Sequence, residues 1–183
     1  MLNWLKERQT RQRTAQQLYG TIVAQARQPA FYTDLRVPDT ARGRFELIAL
    51  HVALVLHRLQ AEGAATSDLA RTVGETFVID MDDNMREMSF SDLAVPREIK
   101  KAAAALFDRH TLVADALPAA TGTAEAFAAQ LDGALAYLAK ESDGPALDSA
   151  GLAAYLRAAA AELAAQPLAG LLEAGPHWPP LPR

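Results

Sequence analysis

The residues of this chain whose types and spacing could do chemistry fall into two short stretches. The first is the acidic run Asp80-Met81-Asp82-Asp83-Asn84, followed at once by Arg86 and Glu87. Alternating carboxylates of this kind invite a calcium-loop reading, with Asp80, Asp82 and Asn84 at the first, third and fifth ligand positions. Such a loop needs glycine at its sixth position for the sharp turn and a bidentate glutamate at its twelfth. Met85 and Ser91 stand there instead, so the reading fails. A small metal-dependent enzyme combining Asp80, Asp82 or Asp83 with His51 or His57 remains an alternative. No HExxH pair, phosphate-cradling glycine loop or GxSxG turn accompanies these residues. The second stretch is Arg97, Lys100 and Lys101, at the start of a helix opened by Pro96. A helix N-terminus favours anions, and Glu98 offsets only part of this charge. The rest calls for the Asp80–Glu87 run or for a partner.

The elements that position these residues are helices. The chain has 183 residues, half of them apolar, with abundant alanine and few β-branched runs. That length supports a real core. The absence of cysteine excludes disulfides, thiolate metal sites and a cysteine nucleophile. The charged Met1–Arg13 start is not followed by an uncharged apolar core, so no secretory signal is expected and a cytoplasmic location is the default.

The net charge of −4 is unevenly spread. Residues 1–44 carry eight Lys/Arg and three Asp/Glu; residues 45–118 carry seven and twelve; residues 119–183 carry three and seven. A basic front on an acidic body suits an anionic surface, although Arg8, Arg11 and Arg13 could equally solvate an exposed helix.

The stretch Arg44–Gln60 organises the rest. On a helical wheel Phe45, Ile48, Ala49, Val52, Val55, Leu56 and Leu59 form one apolar stripe, and Leu47, Leu50 and Leu54 form a second nearly opposite. Glu46, His51, His57, Arg58 and Gln60 fill thin seams between them. A helix apolar on two sides needs neighbours on two sides, and its charges keep it from being a membrane span. Before it, a first helix capped by Asn3 ends at Pro29. Phe31, Tyr32, Leu35 and Val37 then anchor a structured loop, and Asp39 or Thr40 caps the central helix.

After Gly63, Thr66 or Ser67 opens a helix carrying Leu69, Val73, Phe77, Met81, Met85 and Met88 down one side; its unbroken period overrides a strand at Thr76–Ile79. Met88–Val95 reads as a loop, and the helix after Pro96 presents Ile99, Ala103, Leu106, His110 and Val113 until Pro118. Two alanine-rich helices follow, marked by Phe127, Leu131, Leu135 and Leu138, then by Leu152, Tyr155, Leu156, Ala159 and Leu163. Glu141–Gly151 forms the turn between them. Beyond Pro167 a proline-rich tail is expected to be extended and loosely held. The fold expected is all-α: a single-domain multi-helix bundle around a central buried helix. A basic N-terminal arm (1–13), a helical domain (14–166) and a C-terminal tail (167–183) divide it.

Two blocks, LYGTIVAQARQPAFYTDLRVPDTARGRFELIALHVALVLHRL at 18–59 and FVIDMDDNMREMSFSDLAVPREIKKAAAALFDR at 77–109, resemble the ubiquinol–cytochrome c chaperone family. Matching positions include Phe31, Tyr32, Pro38, Asp39, Gly43, Phe45, Asp80, Met81, Asp82, Arg86, Glu87, Asp92, Val95 and Lys100. Ser89 stands where the family pattern has glycine. The resemblance spans about residues 14–140 and implies a helical, non-enzymatic assembly chaperone. Its client would be newly made cytochrome b, or another subunit of the cytochrome bc1 complex. In mitochondria it further implies a partner subunit and contact with the ribosome.

No cofactor and no DNA partner are expected. The partner-binding surface expected is Asp80, Asp82, Asp83, Arg86, Glu87, Lys100 and Lys101. Leu2, Trp4, Leu5 and Arg8 would make a peripheral contact with the cytoplasmic face of the inner membrane. A ribosome- or RNA-binding adaptor working through the N-terminal arginines is the other alternative.

Overall fold

The computed structural model describes residues 2–87, 95–117, 123–141 and 144–181, and every regular element among them is helical. In order these are α1 (Leu2–Ala26), α2 (Ala30–Thr33), α3 (Ala41–Ala61), α4 (Ala64–Glu87), α5 (Val95–Ala116), α6 (Ala124–Leu135) with a 3-10 turn over Ala136–Lys140, α7 (Ser149–Ala165) and α8 (Leu168–Ala174). Thr76–Ile79 is helical, as the period of its apolar residues requires. The expected loop after Met88, including Ser89, lies outside the described residues, and so does the stop at Pro118.

The centre is α3, which packs against α1, α4, α5 and α7. Both of its stripes are covered: Leu47, Leu50 and Leu54 are buried, and so are Ile48, Ala49, Val52, Val55 and Leu59. Only Phe45 and Leu56 reach the edge of the core. Its start is built from local chemistry. The Thr40 hydroxyl accepts a 3.1 Å hydrogen bond from the Gly43 amide, which satisfies one of the free donors of the first turn. Gly43 must be glycine because a Cβ there would sit 1.9 Å from the Pro38 carbonyl oxygen. The loop before it does anchor on the core, through fully buried Phe31, Leu35 and Val37.

Several expectations about helix boundaries change. α1 starts at Leu2, so Asn3 lies inside its first turn, and the helix runs unbroken through Arg13. α4 starts at Ala64, directly after Gly63 in a left-handed conformation (φ +72°). Thr66 is therefore not a cap; it is buried, and its hydroxyl donates to the Leu59 carbonyl at the end of α3. On α5 the buried stripe is Ala102, Leu106, Arg109, Val113 and Ala116, which turns Ala103 out to solvent. The tail is not loose. α8 forms on the spacing of Leu168, Leu171 and Leu172, Leu171 is fully buried, and Trp178 packs on the core. Gln166 ties the tail down, donating to the Gly175 carbonyl (2.9 Å) and accepting from the His177 amide (3.0 Å).

Candidate functional site

The polar seams of α3 were candidates for chemistry, and Glu46, His51 and Arg58 in them each meet partners from distant parts of the chain. Glu46 is buried and receives Arg109 of α5 in a two-pronged pair, Nε to Oε2 at 2.6 Å and Nη2 to Oε1 at 2.9 Å. The Tyr137 hydroxyl donates to the same carboxylate (2.5 Å), and burial together with that carboxylate raises the phenol pKa. Arg109 also donates to the Ala134 carbonyl at the end of α6 (3.2 Å). At the other end of α3, Arg58 donates to the carbonyls of Leu163 (2.7 Å) and Gln166 (3.2 Å), which caps the C-terminus of α7 with a cation.

His51 is fully buried between Phe31, Tyr155 and Trp178. Its Nδ1 lies 2.7 Å from the Leu47 carbonyl, which can only accept, so Nδ1 carries the proton. Nε2 then accepts from the Tyr155 hydroxyl at 3.0 Å, and that hydroxyl accepts from the Gln25 amide at 3.0 Å. Burial pushes the imidazole down to about 4, so it is neutral at physiological pH. With both nitrogens engaged it has no lone pair for a metal or a substrate proton, and it drops out of the metal-enzyme reading. His57 is half-buried, and burial lowers its pKa as well. Among the described residues no group of three His, Asp or Glu is placed to hold a metal ion.

The surface residues expected to bind a partner separate into three kinds. Asp80 accepts a 2.7 Å hydrogen bond from the hydroxyl of the buried Tyr19 of α1, whose pKa burial and Asp80 both raise; this bond ties α4 to α1. Asp82, Asp83, Arg86 and Glu87 lie on the last turns of α4, and their side chains are outside the described residues. Lys101 and Arg97 bond Glu98 on their own turn, at 2.7 Å and 3.4 Å. Glu98 therefore takes up two of the three cations that seemed to need the acidic run; the Lys101 hydrogen bond first, then Arg97, hold its carboxyl below the ordinary range. Lys100 is exposed and makes no ion pair among the described residues.

Two side chains that carried no expected role are exposed on the same two helices. Ile79 on α4 and Phe107 on α5 are 59% and 69% exposed, and the two helices pack against each other. The outward turn of Ala103 was the missing clue for Phe107, four residues on. Trp4 and Leu5, the other exposed large apolar residues among the described ones, sit at the tip of α1 with Arg8; the Leu2 side chain is outside the described residues.

Residues 33–178 match the family model described as ubiquinol-cytochrome C chaperone. The crystal structure of the Cbp3 homolog from Brucella abortus is similar across 99% of this chain and 98% of its own, with a TM-score of 0.77 and 30% sequence identity. No curated protein matches the chain.

Proposed function

The chain belongs to the ubiquinol–cytochrome c chaperone family, and from that premise we propose that it shields newly made cytochrome b during assembly of the cytochrome bc1 complex. The family and the Cbp3 homolog together support the broader role of a non-enzymatic assembly factor for that complex. The client surface in this reading is the outer face of the α4–α5 pair. The observation that carries it is where large apolar side chains stay exposed among the described residues: the tip of α1, and Ile79 with Phe107 on α4 and α5. Only the second pair shares its helices with both the basic start of α5 and the acidic end of α4.

A client with apolar segments flanked by charged loops needs both kinds of contact. Ile79 and Phe107 would cover apolar segments; Arg97, Lys100 and Lys101, with Asp82, Asp83, Arg86 and Glu87, would orient the flanking charges. Asp80 supports this face by fixing α4 on α1. The central helix offers no competing groove, because Leu47, Leu50 and Leu54 are all buried. No described helix is long and apolar enough to cross a membrane. Contact with the ribosome fits the same reading as a source of nascent client.

The test is capture of cytochrome b from native membranes by tagged protein. Ile79→Ser with Phe107→Ser should lose the client while the urea midpoint stays at the wild-type value, and Asp82→Lys with Asp83→Lys should do the same. Undiminished capture by both double variants would refute this surface.

A further inference from the structure

α1 precedes the segment that matches the family model, so that match assigns it no role. Every side chain described from Trp4 to Thr10 is exposed, whereas Arg11 and Thr14 are half-buried and Ala15 is fully buried. The first turn of α1 carries two large apolar side chains into solvent, Trp4 at 59% and Leu5 at 53% exposure, while the next turns border Leu69 of α4 and Leu172 of α8 through Lys6, Glu7 and Thr10. Arg8 follows Trp4 by four residues and Leu5 by three, which puts all three on one side of the helix. Its guanidinium lies 5.8 Å from the centre of the Trp4 ring, within cation–π range. Arg11 is tied to Asp68 of α4 at 3.2 Å, so the tip is held in a fixed rotation on the body.

The charge on this tip is unbalanced. Residues 4–13 carry Lys6, Arg8, Arg11 and Arg13 against the single acid Glu7, and Lys6, Arg8 and Arg13 make no ion pair among the described residues. The helix N-terminus adds a further partial positive charge. From residue 45 onward the chain carries ten Lys/Arg against nineteen Asp/Glu, so the body is acidic.

We propose that the tip of α1 is an interfacial anchor that docks this protein on an anionic lipid surface. Trp4 and Leu5 enter the boundary between headgroups and acyl chains, while Lys6 and Arg8 meet the phosphates. The same surface repels the acidic body, which fixes the orientation: tip down, bundle held away from the membrane. This docking needs no client and stands apart from the α4–α5 reading.

Sedimentation of the full chain with vesicles tests it. Wild type is expected to pellet with vesicles containing phosphatidylglycerol and to stay in solution with pure phosphatidylcholine. Raising salt from about 0.1 M to about 0.5 M should release it, because the charge attraction is screened over a shorter range. Trp4→Ala with Leu5→Ala should abolish pelleting, and Arg8→Gln should weaken it about fivefold, the effect of one cation near such a surface. All these side chains are exposed, so an unchanged urea midpoint separates lost docking from lost folding. Tryptophan emission adds a direct reading: anionic vesicles should shift it to the blue in wild type and leave it unmoved in Trp4→Phe, where the half-buried Trp178 remains packed against the core. The proposal is overturned by equal pelleting with neutral vesicles, or by undiminished pelleting of the double variant. A wild type that ignores both vesicles and is retained by single-stranded RNA overturns it too.

Discussion

The seams of α3 and the outer face of the α4–α5 pair treat charge in opposite ways. In the seams each charged group is buried and saturated: Glu46 by Arg109 and Tyr137, Arg58 by two carbonyls of the α7 terminus. On α5 Arg97 and Lys101 share one glutamate in water, Lys100 has no acidic partner among the described residues, and Phe107 stands open further along the same helix. The first arrangement rigidifies a fold and the second leaves contacts unused. A buried pair is costly to break because the survivor is stranded without solvent, whereas an exposed pair contributes about 0–1 kcal/mol. In the proposed reading stability and recognition are thus separated in space, and mutations should sort accordingly.

The largest effect is expected at Arg109. Arg109→Ala strands the Glu46 carboxylate and should cost roughly 3–5 kcal/mol by urea titration. A cost below about 1 kcal/mol would place this pair in the same class as the surface pairs and erase the contrast. Next comes Leu54→Ala, expected to cost about 2–5 kcal/mol as a fully buried leucine. Leu56→Ala should cost less, since Leu56 is only half-buried; the minor stripe of α3 is here the deeper one.

Acid should act on the seam as well. The unfolded chain takes up a proton on His51 near its ordinary value of 6.5, the folded chain only near 4. Stability tied to this group is therefore complete above about 6.5 and is lost as pH falls towards about 4, by on the order of 3 kcal/mol. His57 and His110, whose pKa values burial also lowers, act in the same direction. Urea midpoints between pH 7 and pH 4.5, compared in wild type and His51→Asn, isolate the His51 share; an identical pH slope in the two would remove it.

The smallest effect on stability is expected on the α4–α5 face. Phe107→Ser or Lys100→Glu should move the unfolding free energy by no more than about 0.5 kcal/mol while lowering client capture. A variant that unfolds instead would make this face part of the core system.

Much of this contrast was legible in the chain, for reasons that differ by region. The two-sided burial of α3 followed from periodicity, because Leu47, Leu50 and Leu54 cannot share a face with Ile48, Val52 and Val55 on any helix. The Thr40 cap was legible for the same local reason. The candidate site was legible only in part. The acidic run and the basic start of α5 marked the pair of helices on which the proposed client face lies, but Ile79 and Phe107 did not stand out, since nothing local says which apolar residue is left uncovered. The phase of the α5 stripe was missed because an arginine, Arg109, occupies a core position, and only its distant partner makes that tolerable.

What the sequence determined by itself is therefore whatever depends on neighbours within a turn or two: helical class, the central element, its cap, and the absence of thiol chemistry. Tertiary structure alone decided the fate of the polar groups. Glu46 and Arg109 are 63 positions apart, Arg58 and Leu163 are 105 apart, and neither partner is written near the other. The same holds for the tail, whose prolines suggest an extended segment while Trp178 finds the edge of the His51 ring. A buried charge or a docked tryptophan is stabilised by what surrounds it, and the surroundings are assembled only when distant helices meet.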